Sequence, residues 1–201
     1  MGFFSFNKKP ADNGTAAAQK AEVFNRISHE CAYRYEMLIA QLNHVYQTAV
    51  SPEEKNKHPF AQVMEQVDVY LQSILLGLAM SDNTITNEEI ELVNKITKYG
   101  NIFRSANIDV AKTDFNGAVM RQRIHMVAQT CSKMVPCIFN IIAELDRKTK
   151  SDRFNEIAPK FVELLCFFCG TDGSMSAAEK NKVRELTEPL FKLFPYSKAK
   201  L

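Results

Sequence analysis

Residues 75–93 read LLGLAMSDNTITNEEIELV, and residues 165–183 read LCFFCGTDGSMSAAEKNKV, so one pattern occurs twice in this chain. Each copy begins with an apolar run without a polar face, which is typical of a buried helix. Each run then meets a turn dipeptide, Asp-Asn or Asp-Gly. A Ser or Thr followed three residues later by Glu predicts a capping box at the start of the next helix. The repeated unit is therefore predicted to be helix, turn, helix.

The segment before the first copy predicts one long helix that begins at Thr15. Its apolar residues recur at alternating steps of three and four, which places them on a single stripe. The stripe consists of Phe24, Ile27, Cys31, Tyr35, Leu38, Leu42, Val45 and Ala49. We expect this seam to pack on the rest of the same domain, and the alternative is a coiled-coil homodimer.

Helix boundaries follow from local signals along the rest of the chain. Ser51-Pro52 and His58-Pro59 each predict a break followed by a new helix. Gly100 predicts a left-handed helix end. Further helices are expected at residues 60–80, 87–99, 117–135, 136–145, 154–170 and 177–194, with a polar connector at 101–116 and a charged linker at 146–153.

Strand-like alternation is lacking, so the predicted fold is all-α with about seven helices. The two helix-turn-helix units are expected to be pseudo-symmetric and to be preceded by the long N-terminal helix. In this organisation residues 1–14 form a flexible tail and residues 15–201 a single domain. The pseudo-repeats cover about residues 59–100 and 150–195.

Composition is that of an ordinary globular protein, with 201 residues, 46% hydrophobic and 24% charged residues. The net charge of +2 argues against a dedicated nucleic-acid surface. No apolar run approaches the about 20 residues of a spanning helix, which favours a cytoplasmic location. The five cysteines are expected to be buried thiols, and Cys166 and Cys169, spaced as CxxC, are expected to pack in the core.

The N-terminal tail opens with GFFSFNKK. Phe6 stands where a myristoylation motif requires Ser or Thr, so that modification is rejected. Phe3, Phe4 and Phe6 with the two following lysines are compatible with a weak peripheral membrane contact, because aromatic and basic side chains favour the interface. A disordered tail is the favoured interpretation.

Acidic residues at the two turns are the candidate metal ligands. If the halves pack about a pseudo-twofold axis, Asp82, Glu88, Glu89, Asp172 and Glu179 converge, and their hard carboxylates suit a divalent cation. The first half of an EF-hand loop is absent, since Phe168 and Gly170 stand where acidic ligands are required. The favoured interpretation is that the Asp residues form turns and the Glu residues cap helices.

The Asp-Gly turn between a buried helix and a capped helix resembles the TerB-like (tellurite-resistance) family. Residues 161–186 carry this resemblance, and residues 72–99 repeat it with Asn83 where Gly is expected. The resemblance implies metal binding through acidic residues at such turns. It also implies a role in a stress or defence response at the inner face of the membrane.

Catalytic motifs are lacking, because the four histidines are scattered and no phosphate-binding loop or nucleophile elbow occurs. Met120, Met126 and Met134 with Phe139 either line a partner groove or fill the core. The leading prediction is a non-catalytic cytoplasmic scaffold module that binds a protein partner. The alternatives are a metal-sensing switch with EF-hand-like logic and an enzyme with a cryptic site.

Substitutions in the second turn separate capping from metal binding. If Glu179 caps, Glu179→Gln is mild, because Gln also fills this position, while Ser176→Ala costs about 0.5–2 kcal/mol of unfolding free energy. If Glu179 binds a cation with Asp172, calcium, magnesium or zinc raises the melting temperature, and Glu179→Gln and Asp172→Asn each abolish that rise. We expect the capping pattern, and a metal-induced rise that Glu179→Gln erases would contradict it.

Overall fold

A computed structural model describes residues 13–81, 85–115, 117–169 and 177–196, and this part of the chain contains nine α-helices and no β-strand. The all-α prediction is confirmed. Nine helices exceed the expected seven because α5 lies inside the predicted polar connector and because α2, which the Ser51-Pro52 start predicts, is a separate helix of six residues. The helices are α1 (Asn13–Ala49), α2 (Pro52–Lys57), α3 (Phe60–Ala79), α4 (Asn87–Lys95), α5 (Ile102–Ser105), α6 (Ala118–Cys131), α7 (Cys137–Thr149), α8 (Phe154–Cys169) and α9 (Ala177–Lys192).

Helix α3 is the centre of the fold. It packs against α1 and against each of α4 to α9, and 14 of its 20 residues are buried. As predicted, it begins directly after His58-Pro59. A helix with so many buried residues must also find partners for its buried polar side chains, because an unpaired buried polar group is costly.

Helix α1 packs along α8 through its predicted seam. Six seam residues from Ile27 to Val45 are at most 4% exposed, and Phe24 and Ala49 at the two ends are partly buried. The seam is therefore covered within the same chain, which confirms the intramolecular packing that the sequence favours. Ser51 then caps α2 by accepting a hydrogen bond from Glu54 N at 3.2 Å, with Pro52 at the first helical position, as expected.

Helix α9 lies close to α3 at Gly77. A Cβ atom at Gly77 would stand 2.9 Å from Leu186 Cδ1, so only a residue without a side chain leaves this approach undisturbed. The helix-turn-helix exit of the second copy therefore contacts the entry helix of the first.

Asp68 is fully buried in α3 and binds the backbone that follows α4. Its Oδ2 accepts hydrogen bonds from Lys98 N at 3.1 Å, Tyr99 N at 2.6 Å and Gly100 N at 2.9 Å. The Tyr35 hydroxyl of α1 donates to Oδ1 at 2.9 Å. Burial raises the pKa of Asp68, and these donors oppose that rise because they stabilise the carboxylate.

Gln72, one turn further along α3, binds the same segment from both sides. Its Nε2 donates to Val93 O at 2.9 Å and to Thr97 Oγ1 at 2.7 Å, and its Oε1 accepts from Ile102 N at 2.6 Å. We call Asp68 and Gln72 together the polar clamp. It fixes residues 97–102 against the central helix.

The polar clamp explains why α4 ends earlier than expected. The helix stops at Lys95 instead of reaching Tyr99, since the N–H groups of residues 98–100 bond to Asp68 and not to carbonyls of a further helical turn. Gly100 does not adopt the predicted left-handed conformation. It is required for a close approach, because a Cβ there would lie 2.5 Å from Glu65 O.

Two predicted linkers are wrong in part. Residues 101–116 are not simply a polar connector, since they include α5 and bury Ile102, Phe103, Ile108 and Phe115. Helix α7 runs four residues past its expected end, to Thr149. The turn after it is short because Asp146 accepts from Ser151 Oγ at 2.7 Å and from Phe154 N at 3.2 Å, which joins α7 to the start of α8. Helix α6 ends at Cys131, four residues before its predicted end.

Replacing Asp68 tests whether the polar clamp holds the fold. Asp68→Ala leaves Tyr99 N and Gly100 N without an acceptor and Lys98 N with the Tyr35 hydroxyl alone, so we expect a loss of at least about 3 kcal/mol in unfolding free energy. Tyr35→Phe is the control. It removes the hydroxyl that donates to Asp68 and accepts from Lys98 N, but Asp68 still accepts from all three backbone N–H groups, so the cost is about 1 kcal/mol. Urea denaturation measures both, and equal losses for the two variants would contradict this role.

Candidate functional site

The first predicted capping box is present at the start of α4. Thr86 N donates to Glu89 Oε2 at 2.7 Å, and Glu89 N donates to Thr86 Oγ1 at 3.2 Å. The Thr86 hydroxyl also donates to Glu89 Oε2 at 2.9 Å. Glu89 is 2% exposed, so its carboxylate caps the start of α4 at a position that solvent hardly reaches. This is the structural role that the sequence favours for Glu89.

The other predicted metal ligands are not brought together by the described part of the chain. Asp82 and Asp172 lie outside the described residues, as do Asn83, Gly173 and Ser176. Glu88 and Glu179 lie in the first turns of α4 and α9. Within the residues that the structure describes, no three His, Cys, Asp or Glu side chains are grouped as a metal site. A shared cation site at the turns therefore stays a prediction.

The CxxC segment at the end of α8 contributes to packing. Cys169 is 3% exposed and Phe168 is buried, while Phe167 stacks under the Arg34 guanidinium of α1, whose central carbon lies 3.2 Å from the ring centroid. All five cysteines are free thiols. Burial raises the pKa of Cys166 and, more strongly, of Cys169, which disfavours the reactive thiolate.

A cavity of about 980 Å³ lies between the end of α7, the turn after it and the end of α9. Among the described residues, three cations and three carboxylates line it together with an apolar wall that includes Phe194. Asp146 is already bound to Arg153 and Ser151, and Lys192 pairs with Glu188 at 3.0 Å. The balanced and largely paired charges give this cavity no preference for a ligand of one sign.

Helix α6 exposes an apolar surface that no other described element covers. Two of its 14 residues, Ile124 and Ala128, are buried against the body of the protein. On the outside, Val119 is 83% exposed and Met126 is 56% exposed, and Met134 in the turn that follows is 67% exposed. We call the side chains of Val119, Met126 and Met134 the α6 face.

The methionine prediction is divided by the structure. Met126 and Met134 are on the surface, as the partner-groove interpretation expects, whereas Phe139 is fully buried and Met120 is partly buried against the core. The groove interpretation is therefore wrong for Phe139, which belongs to the interior.

A second cavity, of about 420 Å³, adjoins the α6 face. It lies between α3 and the turn that joins α6 to α7, with Met134, Val135 and Pro136 on one side and Val69 on the other. Gln66 also lines it and accepts from Cys137 N at 3.1 Å, which fixes the start of α7. Met134 thus belongs both to the α6 face and to the wall of this cavity.

Sequence reasoning missed part of this surface. Val119 was not singled out, and neither were the basic residues of the segment, Arg121, Arg123 and Lys133. A signal was available, because residues 115–143 contain no Asp or Glu. The polar clamp was missed as well, although Asp68 and Gln72 lie one turn apart among mostly apolar residues of the helix.

No known protein family, curated protein or solved structure matches this chain in the comparisons. None of the described helices combines the length and the apolar character needed to cross a membrane. The interpretation of the α6 face therefore rests on the chain's own geometry.

Thiol accessibility tests the packing role of the CxxC segment. Burial raises the pKa of the Cys31 thiol to about 12, and it raises that of Cys169 as well. We expect both to remain unlabelled by iodoacetamide at pH 8 in the reduced native protein and all five cysteines to react after unfolding, as read by mass spectrometry. Labelling of Cys169 at the rate of an exposed thiol would contradict this role.

Proposed function

We propose that this chain is a non-catalytic binding module, a scaffold whose α6 face docks a protein partner. The observation that carries the proposal is the exposure of Val119 and Met126 on α6, which the rest of the described chain covers on one side only, and of Met134 in the turn that follows. Grouped apolar side chains on a surface mark interaction sites more often than singly scattered ones do.

Methionine suits this role for a physical reason. Its unbranched thioether adapts to different partner surfaces and gains dispersion contacts without a fixed shape. Removing such a side chain from water on binding contributes about 1.5–3 kcal/mol. Two exposed methionines and a valine therefore supply the centre of a modest interface.

Further parts of the proposal concern the architecture and its setting. We propose that the two halves are pseudo-symmetric, which is supported by an exchange of helices. Helix α1, before the first unit, packs on α8, and α6, before the second unit, packs on α3. The same proposal includes the TerB-like resemblance, a divalent cation at the acidic turns, a cytoplasmic setting and a link to stress or defence. These parts rest on the sequence.

Partner capture with a matched control tests the docking surface. The variant Met126→Glu with Met134→Glu places charges on the α6 face at exposed positions, so the fold is expected to be retained. The control, Tyr33→Glu with Met37→Glu, changes two exposed apolar residues of α1, which are 58% and 38% exposed.

We expect the parent and the control to capture a partner from cells of the source organism. We expect the α6 variant to lose that partner. The melting temperatures of all three proteins show whether the fold is intact. Equal capture by the α6 variant would overturn the proposed surface.

A further inference from the structure

We propose that the partner segment of the α6 face is an acidic amphipathic helix, which places an apolar side chain in the 420 Å³ cavity beside Met134. This inference rests on the proposed function and specifies the chemistry of the partner. The charges around the face, the spacing of its apolar residues and the adjoining cavity support it.

The charges of the segment have one sign. Residues 115–143 contain three Lys or Arg residues and no Asp or Glu, in a chain that has 23 acidic residues in total. Arg123 in α6 and Lys133, next to Met134, are exposed. Arg123 donates to the backbone carbonyl oxygen of Ala106 at 2.6 Å. This bond fixes the position of the guanidinium, and a carbonyl acceptor does not neutralise its positive charge. Complementary charge therefore favours an acidic partner.

The apolar residues are spaced for a helix. Val119, Arg123 and Met126 follow one another at steps of four and three, so they share one side of α6. Val119 and Met126 stand two turns, about 10 Å, apart along the axis. An amphipathic helix lying on this surface presents apolar residues at the same intervals, as in other helix-in-groove interactions.

The cavity beside Met134 provides an anchor point. Its walls combine apolar side chains, Val69, Met134, Val135 and Pro136, with the amides of Gln62 and Gln66 at the rim. Glu65 is the one charged residue that lines it, so the group that enters is apolar and the acidic residues of the partner lie over α6. Anchors of this kind, one side chain in a pocket, dominate the energy of many interfaces.

A lipid surface and a nucleic acid fit the α6 face less well. Interfacial membrane helices carry aromatic and leucine side chains on the apolar face, and α6 contains neither Phe, Tyr, Trp nor Leu. A nucleic acid requires a denser basic stripe than three cations, and exposed methionine side chains do not contact phosphates.

Two synthetic helical peptides test the inference directly. Both carry Leu and one Trp on the apolar face, while the polar face carries Glu and Asp in the first and Lys and Arg in the second. The chain contains no tryptophan, so the emission of the peptide alone reports binding. We expect the acidic peptide to bind at least about tenfold more tightly at low salt, as a few exposed charge pairs allow.

Two pairs of variants separate charge from packing. Arg123→Glu with Lys133→Glu is expected to abolish the preference for the acidic peptide, and Met126→Ser with Met134→Ser is expected to weaken both peptides. The control, Lys148→Glu with Lys192→Glu, changes cations that are 65% and 71% exposed on α7 and α9 and is expected to leave the preference intact.

The outcomes distinguish this inference from the proposed function. Equal affinity for the two peptides, or binding of the parent to phosphatidylserine vesicles without a peptide preference, overturns the acidic-helix assignment. If capture of a host partner still requires Met126 and Met134 in that case, the proposed docking surface stands although the acidic-helix assignment fails. An acidic preference that survives Arg123→Glu with Lys133→Glu places the site elsewhere and also overturns the inference.

Discussion

The buried carboxylate of Asp68 is the constraint on which this fold depends. A buried charge in the middle of a helix is tolerated only where donors surround it, and Asp68 finds four of them in Tyr35 and residues 98–100. These donors come from chain that lies 30 or more residues away. The path of the segment after α4 is therefore dictated by α3. Gln72, one turn further along α3, positions the next residues in the same way. Its amide oxygen accepts a hydrogen bond from Ile102 N, the first residue of α5.

A second aspartate, which is partly buried, joins segments over a much shorter distance. Asp146, near the end of α7, accepts from Ser151 Oγ, from an Arg153 guanidinium nitrogen at 3.1 Å and from Phe154 N. All three partners lie within eight residues, so this carboxylate closes a local helical hairpin. Phe154 is then held at the start of α8, where its ring stacks on Phe194 with centroids 3.8 Å apart. One aspartate thus joins distant parts of the chain and the other joins adjacent helices.

Local signals in the sequence were sufficient wherever the partner lies within a few residues. The Ser51-Pro52 start, the Thr86–Glu89 capping box and the α1 seam depend on spacing alone, and spacing is visible in a sequence. The early end of α4 and the role of Gly100 could not be predicted, because they depend on Asp68 and Glu65 and on how α3 meets a segment that is remote in sequence. The α6 face was predicted only in part. A methionine fills a core or a groove equally well, and the neighbouring helices decide which of the two applies.

The length of α1 has a consequence for its local stability. The helix spans 37 residues, and its fully packed seam residues lie between Ile27 and Val45, where α1 lies along α8. Backbone opens most easily where few buried contacts hold it. The amide hydrogens between Ile27 and Val45 are therefore held by packing as well as by the helix itself, and their exchange with solvent reports on the separation of α1 from α8.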